Sequence, residues 1–130
     1  MADDKQHFDA GLEVRHAMFG RAGGQQQIDD ATPFTAPFQD MLTRYCFGEV
    51  WTRPLLDRKT RSMLTLAILA VIAKPNQLRT HVRGAIANGV SPEEIREVLM
   101  HVMIYGGVPA AADAFNNAQD VLKDMGLDGK

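Results

Sequence analysis

Apolar residues recur at helical spacing along most of the chain. Phe8, Leu12, Arg15 and Phe19 stand a turn apart, which predicts a helix over 6–19 that Gly20 ends. Residues 21–31, with Gly23-Gly24 and a run of glutamines, read as a loop. Thr32-Pro33 resembles an N-cap followed by a first-turn proline, opening a helix to about Phe47. Residues 48–56 contain Trp51 and Pro54 and read as an irregular connector. Asp57 is placed to cap a helix over 57–74, and Pro75 starts the next, which Asn88-Gly89 stops. Ser91-Pro92-Glu93-Glu94 spells a capping box for a helix to about Tyr105, where Gly106-Gly107 halts it. A last helix is expected over 109–125, ending at Gly126. No segment alternates with period two, so the expectation is an all-α bundle of about six helices.

One helix stands out. Residues 66–73 are apolar on every side, the pattern of a central helix covered all round. A chain this small has few helices with which to cover it, so a second subunit is expected. Small residues on the last helix, Ala110, Ala111, Ala112, Ala114 and Ala118, allow close helix approach, and seven methionines suit an adaptable interior or interface.

Composition narrows the class. A chain of 130 residues is the size of one domain, expected over 1–130 with 1–5 and 126–130 as flexible ends. With 45% hydrophobic residues it is not wholly disordered. A single cysteine, Cys46, excludes an internal disulfide framework and a CxxC redox pair. The longest apolar-rich run, over 63–73, falls short of the roughly 20 residues that cross a bilayer. The acidic N-terminus does not resemble a secretory signal, so a cytoplasmic protein without membrane contact is expected.

A net charge of −2 argues against nucleic-acid binding. The charge is uneven: residues 44–83 hold eight basic and two acidic groups, while 1–43 and 84–130 each hold three basic and seven acidic ones. A basic middle in an acidic frame fits a site for a small anion. It fits better a solvated face whose arginines pair with the flanks.

Several residues could carry chemistry. Arg58, Arg61, Ser62 and Thr65 share one stripe on the first turns of the apolar helix, where guanidinium groups and helix amides suit a carboxylate. They also fit the solvent end of that helix. His81 lies at the edge of the stripe formed by Leu78, Val82, Ala85 and Ile86, flanked by Arg79 and Arg83, whose charge is expected to keep it neutral. A satisfied core histidine is the alternative. Glu97, His101 and Tyr105 follow at i, i+4 spacing, so the carboxylate is placed to orient the imidazole, with His101 and Tyr105 expected to border the core. No histidine has a partner at metal-ligand spacing, so no metal is expected.

Five stretches carry a resemblance. These are Phe-Gly-Glu-Val-Trp-Thr-Arg-Pro (47–54), Asp-Arg-Lys-Thr-Arg-Ser (57–62), Gln-Leu-Arg-Thr-His-Val-Arg (77–83), Ala-Asn-Gly-Val-Ser-Pro-Glu-Glu-Ile-Arg-Glu-Val-Leu-Met-His (87–101) and Tyr-Gly-Gly-Val-Pro-Ala-Ala (105–111). They resemble the 4-carboxymuconolactone decarboxylase family, within the alkylhydroperoxidase D-like superfamily, over about residues 11–122. Gly-Leu-Glu-Val-Arg (11–15) and the Gly-Glu-Val-Trp stretch point to the decarboxylase branch. Lys74 and Gln77 occupy the positions where the peroxidase branch has its CxxC cysteines ahead of His81. Residues 74–76 depart from relatives, which tend to have a Gly-Arg-acidic turn there.

The resemblance implies a trimer-based homo-oligomer, often a hexamer, and cofactor-free decarboxylation of a small anionic lactone in protocatechuate catabolism. It implies proton chemistry at His81, Glu49 or His101, and substrate contacts from Arg58, Arg61, Ser62, Arg53, Trp51, Arg83 and Tyr105. The expected pocket lies between the central helix, the His81 helix and the 49–53 connector, closed by a neighbouring subunit. Two other readings are a decarboxylase-like relative acting on another lactone or keto acid, and a non-catalytic binding or stress module of the same fold.

Overall fold

A computed structural model describes residues 3–130, and these are all helix, turn and loop. The single domain expected from the sequence comprises two compact units, residues 3–57 and Arg58–Lys130.

The first unit opens with α1, Asp4–Phe19. Asp3 caps it, accepting from the Gln6 amide at 2.7 Å while the Gln6 side chain accepts from the Asp3 amide at 3.0 Å. Residues 3–5, expected as part of a loose end, thus begin the helix; Met1 and Ala2 lie outside the described residues. Gly20, at φ 71°, stops α1 where the sequence places the stop.

The expected loop over 21–31 is instead wound. A 3₁₀ turn, Arg21–Gly23, leads into α2, Gln25–Asp29. Side-chain bonds specify it: Gln25 and Gln26 reach Asp29 and Asp30 at i+4, and His16 Nε2 accepts from the Gln25 amide at 3.0 Å. Thr32-Pro33 does not open the next helix. Thr32 and Thr35 bond each other's amides in a closed turn, and α3, Ala36–Met41, starts four residues later with Pro37 in its first turn. The chain then widens into a π-helix, Leu42–Val50, where a connector from residue 48 is expected. The i→i+5 pairing persists to Trp51, whose amide donates to the Cys46 carbonyl at 3.0 Å.

Val14, Met18, Phe47 and Trp51 form the core of this unit, with Phe47 edge-on to Phe19 and tilted against Trp51. Arg15 is buried beside them, 2% exposed. Its guanidinium donates to the Gly23 carbonyl (3.0 Å), Gln27 (2.9 Å), Gln39 (3.0 Å) and Thr43 (2.9 Å). Four successive segments are tied to one side chain, and every acceptor is neutral. Around it α1 and the π-helix meet backbone to backbone. A methyl group on Gly11 would overlap the Thr43 carbonyl oxygen, and one on Gly48 would overlap that of His7.

The second unit holds α4, Arg58–Val71; α5, Pro75–Ala87; α6, Pro92–Gly106; and α7, Val108–Asp124. Helix α4 packs on each of the other three, and α5 and α6 each pack on α4 and α7, which leaves α5 and α6 at opposite corners. Leu66, Ala70, Leu78, Val82, Leu99, Val102 and Val121 lie in the shared core. The ends follow local chemistry. Ser91 and Glu94 form both bonds of the capping box at 3.0 Å. Gly89 (φ 91°) closes α5 and Gly126 (φ 72°) follows α7. At the end of α4 the Lys74 amide reaches the Leu69 carbonyl at 3.0 Å and the Ala73 amide reaches Ala70 at 3.3 Å, a Schellman closure. Its left-handed position is an alanine, Ala73 at φ 57°.

Two substitutions test these close fits. Gly11→Ala should destabilise the protein by about 3 kcal/mol, because backbone and not a flexible side chain must give way. Ala73→Gly should stabilise it by about 0.5–1 kcal/mol by relieving the left-handed strain. Urea denaturation midpoints report both; equal midpoints for wild type and Gly11→Ala would contradict the backbone contact.

Candidate active site

The polar stripe of α4 divides in the structure. Ser62 is fully buried, and its hydroxyl accepts from the Asn88 side chain at 3.0 Å. Thr65 donates to the Arg61 carbonyl at 2.8 Å. Both hydroxyls are thus committed to the fold, while Arg58 and Arg61 remain half-buried on the first turns. Lys59 pairs with Glu94 at 2.9 Å, fastening the start of α4 to the start of α6. Lys59 and the Ser91 amide hold the Glu94 carboxyl below its usual range.

His81 is half-buried on α5, with Nδ1 enclosed by protein. Its pKa is lowered to about 4, and the cause is burial. The expected neutral imidazole is present, but its flanking arginines are not the reason. Arg79 points to α7, donating to Asp120 at 3.3 Å and to Asn117 Oδ1 at 3.4 Å, and Arg83 lies 3.6 Å from Asp124. These arginines fasten α5 to α7, so here the basic middle pairs with its acidic frame.

Helix α4 and α5 run antiparallel, with Ser62 beside Asn88. Asn88 follows His81 by seven residues, about 10 Å at the helical rise. The structure therefore sets the stripe's buried hydroxyl well along the hairpin from the imidazole. Asn88 is the residue missed in the sequence, where Asn-Gly reads only as a helix stop.

The flank of α6 also differs from expectation. Glu97 is held by Arg96 at 3.2 Å rather than by His101. Ile95, Leu99 and Val102 take the inward face, which turns the next positions out. His101 and Tyr105 do not border the core: His101 is exposed and Tyr105 is 81% exposed. They stack on each other, ring centroids 4.9 Å apart.

In the first unit Glu49 and Arg53 are exposed, while Trp51 is a core residue against Phe47. Burial pushes the Cys46 thiol up. Among the described residues no three His, Cys, Asp or Glu side chains group as metal ligands. No helix among them is long and apolar enough to cross a membrane.

Half-buried arginines on α4 and a neutral, enclosed histidine on α5 are groups for acid–base work on an anion, and comparison with known proteins gives that chemistry a class. The sequence profile of the carboxymuconolactone decarboxylase family matches residues 36–120. The 4-carboxymuconolactone decarboxylase of Acinetobacter baylyi is 37% identical over 125 residues, covering 96% of this chain and 93% of that protein. The nitrosuccinic acid decarboxylase of Metarhizium robertsii is 42% identical over 118 residues, covering 91% of this chain and 82% of that protein. A 4-carboxymuconolactone decarboxylase sequence from Pseudomonas putida is 38% identical over 47 residues, 36% of this chain. The class these matches define is an all-helical decarboxylase. The chain belongs to the carboxymuconolactone decarboxylase family.

The buried imidazole makes a pH prediction. An unfolded histidine titrates near 6.5, whereas His81 titrates at about 4. Between those values the unfolded chain binds more protons, so stability falls as pH drops through that window, by about 3 kcal/mol in total. Above pH ~6.5 the contribution is complete. His81→Leu should therefore lose less stability than wild type between pH 7 and 4.5. Parallel urea midpoints for the two proteins over that range would contradict a buried neutral imidazole.

Proposed function

We propose that this protein decarboxylates 4-carboxymuconolactone to β-ketoadipate enol-lactone without a cofactor, in protocatechuate catabolism. The near full-length likeness to the Acinetobacter baylyi protein carries the reading. The substrate is a butenolide with a carboxylate and a carboxymethyl group on one ring carbon. The bond to the carboxylate breaks, CO2 leaves, and the electron pair moves through the ring double bond toward the lactone carbonyl. The resulting dienolate takes a proton at the carbon α to that carbonyl. The lactone is its own electron sink, so the chain must supply anion binding, donors for the carbonyl oxygen and one proton.

Arg58 and Arg61 hold the carboxymethyl group in this reading. The departing carboxylate sits in the apolar part of the site, because a strong ion pair would stabilise the ground state. His81 is neutral in the free protein, and an arriving dianion raises its proton affinity. It thus gains a proton with the substrate and delivers it to the ring carbon. Glu49 and His101 are the alternative donors, and Arg53, Arg83 and Tyr105 the further substrate contacts, on the strength of the family resemblance. The assembly is a homo-oligomer, trimer or hexamer.

A second reading rests on the Metarhizium robertsii relative. Nitrosuccinate and carboxymuconolactone share a succinate skeleton in which the carbon losing CO2 bears, or is conjugated to, an electron-accepting group. One site can hold the distal carboxylate of either, and the sink differs: a nitro group in one, a vinylogous lactone in the other.

A CO2-release assay with each acid decides between them, and background rates with both would overturn the proposal. With the true substrate, Arg61→Ala should raise KM by the worth of a charge-assisted hydrogen bond, about 1.5–3 kcal/mol. His81→Ala should lower kcat by about 10²–10⁴. An unchanged KM in the first variant would remove the anion role from α4.

A further inference from the structure

We propose that Asn88 is a self-modifying site, which loses its side-chain amide through a succinimide formed with Gly89, and that the Ser62 hydroxyl holds this reaction closed in the folded protein. The inference is independent of the decarboxylase reading.

The chemistry starts from the sequence. Of the four asparagines, Asn76, Asn88, Asn116 and Asn117, Asn88 alone precedes a glycine. Glycine has no side chain to shield its own nitrogen or to restrict its approach. That nitrogen loses its proton and attacks Cγ of Asn88. The N–Cγ bond forms, the Cγ–Nδ2 bond breaks, and ammonia leaves. Water then opens the five-membered ring. Opening at the side-chain carbonyl gives aspartate, and opening at the main-chain carbonyl gives isoaspartate. Water is the only co-reactant and has access, because Gly89 is exposed and a methyl group on it would meet nothing within 4 Å.

The folded geometry opposes ring closure. Asn88 ends α5 with ψ 7°. A ψ near zero sets the Gly89 nitrogen beside the nitrogen of Asn88 and away from its Cβ, so the Cα–C bond must turn before the ring can form. The attacking nitrogen donates to the Ile86 carbonyl at 3.0 Å, and the Val90 amide beyond it donates to Ala85 at 2.9 Å. Both bonds lie within α5 and its closing turn. The leaving nitrogen, Nδ2, is held from another helix: it donates to Ser62 Oγ at 3.0 Å, and Ser62 is fully buried on α4. Turning the Asn88 side chain toward Gly89 therefore breaks a bond to a fixed partner in the interior.

The product does not fit the turn that made it. Aspartate at 88 places a negative charge at the C-terminal end of α5, where the helix carbonyls already carry one. Isoaspartate adds a carbon to the main chain two residues before Val90, which is packed in the core at 2% exposure. Either product loosens the joint between α5 and α6.

Peptide mapping tests the site. Trypsin cutting at Arg83 and Arg96 releases residues 84–96 with Asn88 inside. In mildly alkaline buffer containing urea, this peptide should exchange its amide for a carboxyl and resolve into aspartyl and isoaspartyl forms. The folded protein should convert about tenfold or more slowly, because only its locally opened fraction reacts. No conversion in urea overturns the site, and equal rates in folded and unfolded chains overturn the closure. Ser62→Ala should convert several-fold faster than wild type while folded. Leu66→Ala weakens the core of the same helix but keeps the hydroxyl, and should convert more slowly than Ser62→Ala. A Leu66→Ala rate that matches or exceeds it overturns the role of Ser62. Ser62→Cys, a weaker acceptor of similar shape, replaces Ser62→Ala if that variant does not fold, with the same outcomes.

Discussion

Helix α4 has more apolar surface than its neighbours in the chain can cover, and much of the second unit answers to that imbalance. Leu66 and Ala70 are buried because α5, α6 and α7 all pack on this helix. Leu64, Ile68, Val71 and Ile72 are left facing out. Burying an aliphatic side chain is worth about 1.5–3 kcal/mol, a gain that these four positions forgo within the chain. The polar first turns of α4 are where this pressure stops, and there the helix carries Arg58, Arg61 and the buried Ser62.

Local signals made most of the helices legible. Ser91 with Glu94, Gly20, Gly89 and Pro75 act within a turn of their own position, so their effect can be read without knowing the fold. The segments that differ are those specified at longer range. Gln25–Asp29 is wound because His16 and Arg15 bond to it across several residues. The π-helix carries on through Gly48 because that glycine lies against the His7 backbone, a contact invisible in its own neighbourhood. At the site, the neutral state of His81 was expected from its flanking arginines but comes from burial, and the stripe on α4 divides between buried Ser62 and the half-buried arginines. The role of Asn88 was not readable, since a hydrogen bond across 26 residues leaves no periodic trace. His101 and Tyr105 sit on the flank of an apolar stripe, where a few tens of degrees decide between core and solvent.

The stretches that mark the decarboxylase branch also have a structural reason. Gly11 and Arg15 come from one, Gly48 and Trp51 from the other. Gly11 and Gly48 are the points of backbone contact between α1 and the π-helix, Arg15 binds Thr43, and Trp51 closes the core. In the first unit these residues therefore hold two helices together, whatever part Glu49 between them plays in chemistry.

The neutral surroundings of Arg15 separate the two units in another respect. A guanidinium remains charged throughout the accessible pH range, and amide, hydroxyl and carbonyl acceptors do not titrate. The hub of the first unit is thus insensitive to acid. The second unit is fastened by carboxylates, Glu94 to Lys59, Asp120 to Arg79 and Asp124 to Arg83, and each of these links weakens once the acid is protonated. Acid therefore acts on these links and on the carboxylate pairs of the first unit, Asp29 with Arg21 and Asp40 with Arg44, but not on the Arg15 hub itself.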